Sequence, residues 1–83
     1  MARVEAPAHA EFGRAQVSSL TAFERRALEL FASGLPRGEI AQMLNRAPKT
    51  ISNSLTAAKE KLGARSLAEA SVLLTLVAGE AAR

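Results

Sequence analysis

Between Pro48 and Leu62 the side chains of Lys49, Ser52, Asn53, Thr56, Lys59 and Glu60 fall on one side of a helical period, opposite the apolar Ile51, Leu55, Ala58 and Leu62. Such a strip can donate and accept hydrogen bonds and attract anions. It carries nothing bulky that would hold it off a flat or grooved partner. Other chemistry has little to work with. The chain has no Cys and no Asp, and His9 is its single His, so a thiol nucleophile, a zinc knuckle and a disulfide framework are excluded. Metal binding and acid–base catalysis need several such groups converging in a pocket, and 83 residues build few deep pockets. An enzyme is not expected, nor a cofactor, a metal or a small-molecule ligand.

A chain of this length with 48% hydrophobic and 23% charged residues describes one small domain. Its net charge of +3 matters less than where the charges lie. Before Val17, Arg3 and Arg14 balance Glu5 and Glu11; from Arg37 to Arg65, six basic residues (Arg37, Arg46, Lys49, Lys59, Lys61, Arg65) face only Glu39 and Glu60. A local surplus of this kind favours a polyanion, with an ordinary solvated face as the plainer alternative. No basic run followed by an apolar segment opens the chain, so secretion is unsupported and a cytoplasmic location is expected. The longest near-apolar stretch, Leu67 to Ala78, is interrupted by Glu69, Ser71 and Thr75 and is shorter than the roughly 20 residues of a membrane span, so no membrane partner is expected.

The strip needs elements to position it, and helix punctuation supplies them. Met1 to Gln16 shows no sustained period and contains Pro7 and Gly13, which reads as a flexible arm; His9 and Phe12 within it carry no assigned role. A domain is expected over 17–79, with 80–83 as a tail. Thr21 and Glu24 form a capping box that opens a helix over about 22 to 33, with Phe23, Ala27, Leu30 and Phe31 on one face and Gly34 as a left-handed stop. Pro36 suits the first turn of a short second helix with Ile40, Ala41 and Leu44 on one side; Gly38 weakens it by up to about 1 kcal/mol relative to Ala. Asn45, Arg46 and Ala47 make a turn before Pro48, which opens the third helix, and Gly63 ends it.

Ser66 and Glu69 form a second capping box, opening a fourth helix through about Ala78 with Gly79 as its stop. Here the apolar residues outnumber what one buried face can take. Leu67, Ala70, Leu74 and Val77 make one stripe, while Val72, Leu73 and Leu76 lie away from it. A second copy or another protein packing on Val72, Leu73 and Leu76 accounts for the surplus; a few scattered exposed apolar residues are the alternative.

A short helix, a tight turn at Asn45 to Ala47 and a helix with a slim polar face read as a helix-turn-helix, a spacing that other small helical domains also show. From Leu20 to Ala70, without a gap, the sequence resembles the LuxR-type (GerE-like) DNA-binding domain family. The pieces that carry the resemblance are Leu20 and Thr21, Glu24, Leu28 and Leu30, Ala32 and Gly34, the E-I-A-x-x-L run from Glu39 to Leu44, Thr50 and Ile51, Lys61 to Gly63, and Glu69 and Ala70. The resemblance implies an all-α, four-helix fold with the third helix in the major groove of double-stranded DNA and the fourth often used for dimerisation. It implies that Ser52, Asn53 and Thr56 face bases and that Lys49, Thr50 and Lys61 face phosphates. Asn can pair bidentately with adenine, and Ser or Thr can bond either kind of base.

Several positions depart from the family pattern. Phe23 stands where many members have Arg, and Pro36 where they have Ser. Ala47 replaces the Ser that caps the third helix, a loss of about 1 kcal/mol partly offset by Pro48. On the groove-facing side Ser52 replaces a common Lys and Ser54 a His, and Leu67 replaces an Arg. Fewer charge contacts predict weak binding per monomer and a greater need for a homodimer. With only a short tail ahead of Val17, the expectation is a stand-alone bacterial transcriptional regulator. The rival expectation, from a different class, is a protein-binding regulator that uses the same fold to capture RNA polymerase or another transcription factor.

Overall fold

The computed structural model describes residues 15–81, which form helices and turns with no strand among them. The arm read over Met1 to Gln16 lies outside the described residues up to position 14. Its last two residues belong to a helical turn over 15–18 that tucks Val17 into the core. Four helices follow: α1 (Ala22–Ala32), α2 (Arg37–Leu44), α3 (Pro48–Lys61) and α4 (Leu67–Ala81). This is the all-α architecture implied by the resemblance.

The capping chemistry behaves as the residue types dictate. Thr21 Oγ1 accepts the Glu24 amide at 3.0 Å and Glu24 Oε1 accepts the Thr21 amide at 3.0 Å, so two of the orphan donors at the start of α1 are satisfied reciprocally. After Ser33 the chain turns through Gly34 at φ 102°, a backbone region that side chains with a Cβ rarely adopt. Pro36 stands one position earlier than expected, as the N-cap of α2, where its extended ψ of 156° starts the helix and its carbonyl accepts from Glu39 and Ile40. At the start of α4, Ser66 Oγ accepts the Glu69 amide, but the Glu69 carboxylate reaches past Ser66 to the Arg65 amide at 2.6 Å.

One helix end is corrected. α4 runs through Gly79 to Ala81. A glycine inside a helix costs only about 1 kcal/mol relative to Ala, and it stops a helix only when the next turn goes left-handed; Glu80 and Ala81 are good helix formers that continue it.

The core is wholly apolar among the described residues. Leu28, Ile40, Ile51 and Leu55 are its largest fully buried side chains, joined by Ala27, Leu30, Ala41, Ala58, Leu62, Ala70 and Leu74. α1 packs against both α3 and α4, and α2 packs against α3. The stripe read on α3 is therefore the face that the rest of the domain grips, which leaves the opposite side of α3 outward. On α4, Leu67 and Val77 flank the buried Ala70 and Leu74 as expected, but Leu73 also packs against the core instead of pointing away. On a helical projection Leu73 falls beside Val77, at the margin of the stripe, whereas Val72 and Leu76 fall on the far side. Among the described residues no helix is long and apolar enough to cross a membrane.

Candidate nucleic-acid interface

The turn between α2 and α3 is made by one left-handed residue. Asn45 caps α2 at φ 56° and ψ 50°, a conformation Asn tolerates better than most residues, and the Arg46 amide bonds back to the Ala41 carbonyl at 3.0 Å. Ala47 then takes an extended backbone as N-cap of α3, and Pro48 supplies a first residue with no N–H to satisfy. As expected, no side chain caps this end, so the Lys49 and Thr50 amides at the start of α3 have no capping acceptor.

On the outward side of α3, Lys49, Asn53, Thr56 and Glu60 follow one another at i, i+4, i+7 and i+11, and all four are exposed. Ser52 and Lys59 are half-buried on one flank of this line. Thr50 and Lys61 sit on the other flank, about a third of a turn round. The six residues assigned to DNA thus do not form one cluster: three lie along the crest or just beside it, Ser52 borders it, and Thr50 and Lys61 occupy a separate edge. Among the described residues neither Lys49 nor Lys59 forms an ion pair.

Lys61 is different. Its Nζ donates to Glu24 Oε1 at 2.7 Å, with the Glu24 side chain 14% exposed and the Lys61 side chain 37% exposed. Its carbonyl accepts from Gln16 Nε2 at 2.6 Å. The end of α3 is thereby tied to the start of α1 and to the helical turn that precedes it. The Lys61 hydrogen bond, opposed by partial burial and reinforced by Thr21, holds the Glu24 carboxyl below its ordinary value. Glu24 therefore serves the α1 cap and the Lys61 tether together.

Two further cations are held by aromatic rings. The Arg46 guanidinium lies 5.5 Å from the centre of the Phe23 ring, and Arg37 lies 5.6 Å from that of Phe31. Arg46 comes from the turn and Phe23 from α1, where the family pattern has Arg. Neither pairing was visible in the spacing, because its members lie on different elements and share no helical period. Glu24 offered one signal in advance: by helical period it falls between Phe31 and Leu28, on the core-facing side of α1.

Among the described residues the exposed large apolar side chains are Val72 at 56%, Leu76 at 61% and Met43 at 57%, all away from α3. Val72 and Leu76 are one turn apart on α4 and are the two that face outward of the three residues, Val72, Leu73 and Leu76, read from the sequence as lying away from the stripe.

A short helix, a left-handed turn residue and a second helix gripped on one face and polar on the other define a helix-turn-helix domain. The family model described as bacterial regulatory proteins of the luxR family matches residues 18–80, and the chain belongs to that family of DNA-binding regulatory domains. No curated protein and no solved structure matches the chain.

Proposed function

We propose that the protein is a sequence-specific transcriptional regulator that binds double-stranded DNA as a homodimer, with α3 in the major groove. The observation that carries this reading is the outward line of α3, where Lys49, Asn53 and Thr56 stand opposite the buried Ile51, Leu55 and Ala58 with nothing of the domain over them. Asn53 is the side chain best suited to a bidentate pair with adenine, and Ser52 and Thr56 are short enough to bond base edges or touch a thymine methyl. A helix lying in a groove has a phosphate wall on each side. Thr50 near the start of α3 and Lys61 at its end share one flank and serve the wall on that side, Lys49 meets phosphate at the start of the crest, and Lys61 retains two protons beyond the one given to Glu24. Few cations touch phosphate in this arrangement, so two linked copies bind far better than one. Val72 and Leu76, with Leu73 at their margin, supply the surface for the second copy.

Selection of the purified protein against a random duplex pool at low salt, with sequencing of the bound fraction, tests the reading. An enriched inverted or direct repeat is the expected result; a folded protein that enriches no sequence overturns it. The exposed Met43 and the apolar pair on α4 favour one alternative, a regulator that captures RNA polymerase or another transcription factor. Added salt separates the two, since phosphate contacts weaken steeply with ionic strength and an apolar contact does not.

A further inference from the structure

We propose that Glu60 is a specificity-determining residue of the DNA-reading face, accepting a hydrogen bond from the N4 amine of a cytosine in the major groove. This rests on the reading of α3 as the groove helix. Glu60 stands on the outward line of α3, one turn beyond Thr56 and two beyond Asn53, and is exposed. Its carboxylate is unspent. Among the described residues Glu24, Glu29 and Glu69 each hold an ion pair, whereas Glu39 and Glu60 hold none, and of these two only Glu60 stands on the outward line of α3. Within α3 its neighbours at three and four residues are Ala57 and Thr56, neither of them cationic, and the helix ends one residue beyond it at Lys61.

A carboxylate facing DNA is repelled by phosphate everywhere, and a base edge that offers it a donor offsets that repulsion. In the major groove guanine presents the acceptors N7 and O6 and thymine the acceptor O4, all of which repel a carboxylate. Adenine presents an amine beside the acceptor N7, and cytosine presents its amine without that neighbour. Cytosine is therefore the base that Glu60 accepts and the others are those it rejects. Glu60 lies about 6 Å along the axis past Thr56, roughly two base-pair steps, and its side chain is the longer of the two.

The test compares the full chain with Glu60→Gln, Glu60→Ala and Glu29→Gln in the same duplex selection at one salt concentration. Glu29→Gln makes the same charge change as Glu60→Gln on the outer face of α1. Both Glu60 variants lose a cytosine preference at a single position, by about 5- to 100-fold, while their affinity for unselected duplex rises; Glu29→Gln keeps the wild-type motif. A motif unchanged at every position in the Glu60 variants, even with affinity raised, overturns the proposal and leaves Glu60 as a source of repulsion alone. A wild-type protein that enriches no motif overturns the DNA-reading function itself, and the inference with it.

Discussion

The outward faces of α3 and α4 are built on the same core and end up opposite in character. Each helix gives one apolar stripe to that core: Ile51, Leu55 and Ala58 from α3, Ala70 and Leu74 from α4. On α3 the remainder is short, polar and lightly charged, a surface that water already satisfies and that a hydrated polyanion can approach. On α4 the remainder includes Val72 and Leu76, more than half exposed, a surface that gains free energy when something dry covers it. One domain thus carries two faces that suit different kinds of partner, and the difference lies in what each helix has left over once the core is filled.

The largest expected effect removes what the two faces share. Leu55→Ala, at a fully buried position under the reading face, should destabilise the domain by about 2–5 kcal/mol in denaturant titration and abolish DNA binding and self-association together. Leu76→Glu should act on one face only. It places a charge in the proposed dimer contact, at a cost of several kcal/mol, so light scattering should report half the wild-type mass while the melting behaviour of the monomer hardly moves. An unchanged mass would remove α4 from the interface. Asn53→Ala acts on the other face: discrimination at one base position should fall by roughly 1–3 kcal/mol with the mass unaltered, and a retained motif would strike Asn53 from the readers.

The smallest effect concerns the tether behind α3. Because the folded Glu24 carboxyl titrates below its ordinary value of 4.5, its contribution to stability is present above that value and is lost as pH falls through the lowered one. Glu24→Gln should therefore cost about 1 kcal/mol or less at neutral pH, since Lys61 is partly screened by solvent, and should flatten the acid limb of a melting profile taken from pH 7 downward. Coincident profiles would show that the ion pair contributes nothing.

Much of the fold was legible because it is local. Thr21 with Glu24, Gly34, Pro48 and Gly63 act on neighbours within one turn, so helix starts and stops follow from residue type, and the α3 stripe follows from period alone. Gly79 was misleading because glycine both stops helices and sits inside them, and only the following backbone decides. Of the site, the membership of the outward line on α3 was readable from spacing, whereas the commitment of Lys61 to Glu24 and of Arg46 to Phe23 was not. Those pairs depend on how α1 lies across α3 and the turn.

By itself the sequence determined the centre of the stripe that each helix buries, since that is a matter of helical period and of the free energy of removing Leu, Ile and Ala from water. Tertiary structure alone decided which cations remain available. Lys49 and Lys59 stand without an ionic partner among the described residues while Lys61 is held by Glu24, and Leu73, outward by rough spacing, packs against the core at the margin of its stripe. An ammonium and a carboxylate pair only when packing brings them within hydrogen-bond distance, and residues 37 positions apart reach that distance through the arrangement of helices, not through any period within one.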